Sequence, residues 1–187
     1  MPPQPPGIWN SVYNGDKWKD AVGPNRYRRA IYTFVKRTSG YPSFQIFDGS
    51  DRATSLPRRI PTNTPLQALV TLNDPVYDEA AAALAARTVK EVAAKGEHGP
   101  DGEDTLTKQL RHEARLVLSR DPTPQELAVL RSLFEKVMKT PGKPVLKQAS
   151  LKIVENSPRT ANISPKEFEA LQAIGSVLLN LDAAMTR

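Results

Sequence analysis

From residue 63 to the C-terminus, apolar side chains recur every three or four positions. That spacing lines one face of a helix and marks where a core forms. Leu106, Leu110, Ala114, Val117 and Leu118 make one such stripe. Leu127, Leu130, Leu133, Phe134, Val137 and Met138 make a second, and Phe168, Leu171, Ile174, Leu178, Leu181 and Met185 a third. The starts are punctuated in a repeated way: Thr64-Pro65, Asp74-Pro75, Thr123-Pro124 and Ser164-Pro165 each place a capping side chain before a proline. Proline suits the first helical position, where its missing N–H would have no partner anyway. Thr123 and Ser164 are followed three residues on by Glu126 and Glu167, the spacing of a reciprocal capping box. The pattern predicts helices over about 65–72, 75–95, 105–119, 124–139 and 165–185. Asp78 and Glu79 suit the first turn of the second helix, and Gly96 its end. Residues 140–163 read as a linker, with a short helix near 145–155.

The first 62 residues lack this regularity. Pro2, Pro3, Pro5, Pro6 and Pro24, with Gly7, Gly15 and Gly23, make 1–25 an extended lead-in with loops. Its large apolar residues, Ile8, Trp9, Val12, Tyr13 and Trp18, are expected to pack on the body. Over 26–37, Tyr27, Ile31 and Phe34 fit a helical stripe with Asn25 as cap, while Ile31 to Val35 also suits a strand. No second strand offers itself as a partner, so a helix is predicted. Residues 38–62 are irregular, broken by Gly40, Pro42, Gly49, Pro57 and Pro61. The expected fold is mainly α: an irregular bundle of about five helices over 26–187, with the basic, aromatic, Pro-rich N-terminal segment packed over it. Within that single domain, 26–62 is the basic aromatic segment, 63–139 and 164–187 are helical, and 140–163 links them.

Charge sharpens the division. The 187-residue chain has a net charge of +6. Residues 1–66 hold ten Lys/Arg against four Asp/Glu, and the remainder holds sixteen of each, so the whole excess lies in the first third. Nine of the twelve Phe, Trp and Tyr lie there too. A basic surface concentrates anions around it, which bears on partners and not on fold. No apolar run approaches the ~18 residues that span a bilayer. Cysteine is absent, which excludes disulfides, thiolate metal sites, Cys nucleophiles and covalent haem attachment within this chain. The N-terminus lacks the basic start and apolar stretch of a signal peptide.

Reaction chemistry is hard to find. His98 and His112 are the two histidines. The first reads as an exposed loop residue, the second as a surface or helix-packing residue, and neither has metal-ligand spacing around it. No metalloprotease helix, nucleophile elbow, phosphate loop or dinucleotide fingerprint occurs. Asp48 and Asp51 read as ion-pair partners of Arg52, Arg58 or Arg59 before they read as an acid–base pair. The arginines carry the one positive signal. Arg26, Arg28, Arg29, Lys36, Arg37, Arg52, Arg58 and Arg59 fall within one short stretch. A guanidinium is a permanently charged planar fork that grips carboxylate, sulfate or phosphate through two bonds. Arg28, Arg29, Arg37, Arg52, Arg58 and Arg59 are therefore candidate anion-binding residues, with Asn63 and Gln67 beside them and Trp9, Trp18, Tyr27, Tyr32 or Tyr41 as stacking surfaces. The competing reading is structural: the same arginines tie loop carbonyls and carboxylates together, Asn63 bonds the turn at 64, and Gln67 braces the loop.

Several strings also match a known family. They are Tyr27 to Thr38, Pro42-Ser43-Phe44, Phe47-Asp48, Arg58-Arg59, Thr62-Asn63-Thr64-Pro65-Leu66-Gln67-Ala68-Leu69 and Leu72-Asn73-Asp74-Pro75. Gln4 to Trp9, Arg120 to Leu127 and Leu178 to Asp182 add to them. Together they resemble the C-terminal domain of unknown function in planctomycete-type cytochrome c and surface-domain proteins, and this chain is similar to that domain's C-terminal portion. Ser55 stands where that family has a cysteine, Pro61 where it has an arginine, and Gly49-Ser50 where it has Ala-Pro. The resemblance implies an exported, cell-envelope, multidomain parent with a c-type haem domain elsewhere, and it supplies no catalytic residues. The expected function is an accessory module without cofactor, interacting with upstream domains of its parent or with an acidic or sulfated polysaccharide. Two alternatives stand beside it: a fragment of a polysaccharide-acting or redox enzyme whose catalytic residues lie upstream, and a single-stranded nucleic-acid binder.

Overall fold

The computed structural model of the chain describes residues 7, 17–35, 40–50, 55, 57–58, 60, 62–95, 102–142 and 163–185. Among them the fold is mainly α, with no strand. The chain forms two compact units, residues 1–67 and 68–187. The boundary falls at the change of charge and aromatic content.

The described residues of the first unit have little regular structure. Short 3-10 turns run Gly23–Tyr27 and Ala30–Tyr32, and a five-residue helix α1 runs Pro42–Ile46. The helix predicted over 26–37 does not form through Val35. Arg28 and Arg29 are extended, with ψ of 146° and 153°, and the Ile-Tyr-Thr-Phe-Val run after them is made of poor helix formers. Asn25, expected as its cap, accepts a bond from the Arg28 side chain instead. Trp18, Tyr41 and Phe44 make a small aromatic core: the Trp18 and Tyr41 rings stack at 5.7 Å, and Phe44 meets Tyr41 edge-on at 5.3 Å. Val22, Tyr27, Ile31, Tyr32 and Phe34 stay exposed.

Helix α2, Pro65–Asn73, begins at the end of the first unit and continues into the second. Then come α3 (Pro75–Lys95), α4 (Thr105–Leu118), α5 (Pro124–Lys139), α6 (Pro165–Leu179) and a terminal turn, α7 (Asp182–Met185). The punctuation acts as expected. Thr123 with Glu126 and Ser164 with Glu167 form complete capping boxes. Asp74 Oδ1 accepts from Val76 N at 2.8 Å. The last predicted helix breaks at Asn180, whose side chain is held by Thr71 Oγ1 at 2.7 Å. Gly96 and the short helix near 145–155 lie outside the described residues.

The core of the second unit joins four helices. Ala82, Ala85, Ala86 and Val89 of α3 meet Leu110, Ala114 and Leu118 of α4, Leu130 of α5, and Phe168, Leu171, Ile174 and Leu178 of α6. Alanines on α3 and Gly175 on α6 let those two backbones come close: a Cβ at Gly175 would lie 3.3 Å from the Ala81 carbonyl oxygen. Only Leu130 of the α5 stripe is buried, and Met138 and Leu181 are more than a third exposed. No helix among the described residues is long and apolar enough to cross a membrane.

Candidate functional site

The candidate site is the basic aromatic part of the first unit. Gly23 and Pro24 open the first 3-10 turn, and Tyr32 N donates to Arg29 O at 2.9 Å to close the second. Two extended arginines stand between them. Arg28 Nε donates to Asn25 Oδ1 at 2.8 Å, and its guanidinium lies 5.5 Å from the Tyr32 ring centre. Arg26 lies 5.8 Å from the Tyr27 ring centre. Both rings are more than 60% exposed, Tyr27 at 67% and Tyr32 at 62%. Arg29 is exposed and, among the described residues, its guanidinium has neither a hydrogen bond nor an ion pair. The same holds for Arg58. The result is a row of cations and ring faces turned to solvent, in which cation and ring attract each other.

The same unit holds a polar clasp. Asp48 takes a left-handed backbone, φ 57°, after α1, a conformation that Asp tolerates better than most residues. Gly49 follows, with its N–H on the Phe44 carbonyl at 2.5 Å, and a Cβ there would meet that oxygen at 2.4 Å. The Asp48 carboxylate accepts from Thr62 N at 2.7 Å and Thr62 Oγ1 at 2.8 Å. Gln67 is buried, 1% exposed, and fully engaged. Its Nε2 donates to the Ile46 carbonyl at 2.8 Å, and its Oε1 accepts from Thr64 N at 2.9 Å. Thr64 Oγ1 accepts from Gln67 N at 3.3 Å in return, so a third capping box starts α2. Asp48 and Thr62 are thus held together, and Arg58 lies between them in sequence.

The predicted site residues separate on this geometry. Arg28 and Arg29 are neighbours on the extended stretch, Arg58 is exposed in the loop, and Asn63 is exposed beside the clasp. No hydrogen bond or ion pair joins Arg28 or Arg29 to Arg58, Asn63 or Gln67. Arg37, Arg52 and Arg59 lie outside the described residues, as does His98. His112 has the packing role rather than the surface one: it is buried, with Nε2 2.8 Å from Glu91 Oε2. Arg87 and His112 hold Glu91 below the usual carboxylate range. No cluster among the described residues could hold a metal ion.

Sequence reasoning passed over two features. The Thr64–Gln67 box has the spacing of the other two, with glutamine in place of glutamate, and that signal was available. The other is Glu113, which stands three residues after Leu110 on an inward stripe and is wholly buried.

A model of the family PSD1, protein of unknown function (DUF1553), matches residues 1–134. No curated protein matches the chain. No solved structure matches it either.

Proposed function

The chain belongs to the DUF1553 family, and on that premise we propose that it is an accessory interaction module whose first unit binds an acidic or sulfated polysaccharide. One observation carries the reading: Arg28, held by Asn25 and lying over Tyr32, sits beside Arg29, which is exposed and lacks a partner among the described residues. An unpaired guanidinium meets a sulfate or uronate without first giving up a protein carboxylate. Exposed tyrosine faces suit sugar rings, since an aromatic ring offers large contact area with few torsions to immobilise. The clasp adds support by fixing Asp48 to Thr62 on either side of Arg58 in sequence, which lowers the entropy lost on binding. The resemblance to the cytochrome c-associated domain extends the proposal: the module serves an exported cell-envelope protein whose chemistry resides in other domains.

Calorimetric titration of the full chain with dextran sulfate, and with uncharged dextran, tests this. Binding to the sulfated polymer alone is expected. Arg29→Ala/Arg58→Ala should weaken it about tenfold or more, a loss of ~1.4 kcal/mol or above. Arg131→Ala, in the second unit, should leave it unchanged. Equal binding by the double variant overturns the proposal, and so does tighter binding to single-stranded DNA.

A further inference from the structure

The second unit carries one ionisable group that its ion pairs leave aside. Glu113 is three residues after Leu110 and four before Val117, so α4 turns it inward with the apolar stripe. It is 0% exposed, and neither carboxyl oxygen has a hydrogen-bond partner among the described residues. Its seat is Gly175 on α6: a Cβ there would stand 2.9 Å from Glu113 Oε1. The same point lies 3.3 Å from the Ala81 carbonyl oxygen of α3, so three helices converge on one carboxyl.

Among the described residues no cation compensates it. On α3, Arg87 and Lys90 are exposed, Glu91 is taken by Arg87 and His112, and Asp78 accepts from Gln172; Glu79 is half-buried. On α6 the charges, Lys166, Glu167 and Glu169, all precede Ala170, at the far end of the helix from Gly175. On α5, Glu126 is tied to Arg120, and Arg131, Glu135, Lys136 and Lys139 are exposed, as is Asp182 of α7. The other charges of α4 are Lys108, Arg111, His112 and Arg115; Arg111 is paired with Glu103 and Arg115 with Asp121. Burial alone pushes Glu113 well above the usual carboxylate range, with no charged neighbour contributing.

We propose that Glu113 is carried as the neutral acid at neutral pH, and that loss of its proton to solvent loosens the α3/α4/α6 seam, making it a pH-sensitive latch. A bare carboxylate without partner or cation is among the costliest groups to hold in a core. The sign follows from linkage. In the unfolded chain Glu113 ionises in the ordinary range, so the folded state binds the extra proton. Its favourable contribution is complete below the unfolded value and is lost as pH rises through the folded one.

Denaturant unfolding of the full chain, followed by far-UV circular dichroism from about pH 5 to about pH 8, tests the latch in the wild type and in Glu113→Gln. Relative to Glu113→Gln, the wild-type unfolding constant should rise by up to about tenfold per pH unit, the slope of one proton. Infrared spectra at neutral pH should show a protonated carboxyl band that Glu113→Gln removes; this readout needs only the folded wild type and a second variant, Glu113→Met. A wild type and Glu113→Gln with parallel pH profiles, or no protonated carboxyl at neutral pH, overturns the proposal.

Discussion

The two units are held together by different means. In the second, a dozen buried apolar side chains from four helices meet, and most of the polar work is done at helix ends. In the first, one aromatic trio and a clasp of Asp48, Thr62, Thr64 and Gln67 hold a segment with almost no regular structure, while Tyr27, Ile31, Tyr32 and Phe34 remain in solvent. The difference teaches where recognition can reside. A periodic core uses its large side chains on itself. An irregular segment fixed at a few polar points leaves rings and guanidinium groups for something else.

The largest expected effect is in the helical core. Phe168→Ala empties a fully buried aromatic site on α6 and should lower the stability of the second unit by about 3–5 kcal/mol, read by the far-UV dichroism transition. An unchanged midpoint would mean that the core does not close around α6. Next is the clasp. Gln67→Ala leaves the Ile46 carbonyl and Thr64 N without their partner and should cost the first unit about 1–3 kcal/mol. Trp18 stacks on Tyr41 in that unit and no tryptophan follows residue 18, so tryptophan fluorescence follows it. A fluorescence transition that does not move would contradict the clasp.

The smallest effects sharpen the contrast from the surface. Thr123→Ala should cost about 1 kcal/mol through the lost cap of α5. Glu126 is lowered to about 2, first by Arg120 and then by the Thr123 backbone N–H. A lowered carboxylate stabilises above its unfolded value and stops doing so as pH falls through the folded one. Glu126 therefore withdraws its support between 4.5 and about 2, the reverse of Glu113, and Glu126→Gln should flatten the acid limb of the unfolding profile. A wild-type limb retained in that variant would assign the acid sensitivity to other groups.

Legibility follows the same division. Prolines after capping residues locate the starts of α2, α3, α5 and α6, because a cap and its proline act within one turn and need no distant partner. The Leu110, Leu118, Phe168 and Ile174 core was readable from periodicity for the same local reason. Glu113 was legible only in part: its spacing from Leu110 and Val117 puts it on the inward stripe, but the position of Gly175, some sixty residues away, is what encloses it. The clasp of the first unit depends on such distant partners. Gln67 reaches back 21 residues to Ile46, and Asp48 waits for Thr62, so neither role follows from neighbours in sequence. The helical stripe of Tyr27, Ile31 and Phe34 misled because hydrophobic spacing alone does not form a helix from β-branched and aromatic residues with no core to face. Pro42, read as a break in an irregular stretch, instead starts α1, and with only five residues that helix left no periodic signature.

The division of labour is tested most directly by amide chemical shifts of the isotopically labelled full chain during titration with dextran sulfate. The account predicts perturbations at Arg26 to Tyr32 and around Arg58, with the amides of α3 to α6 unmoved. Perturbations confined to α3–α6 would place recognition on the helical scaffold and contradict it.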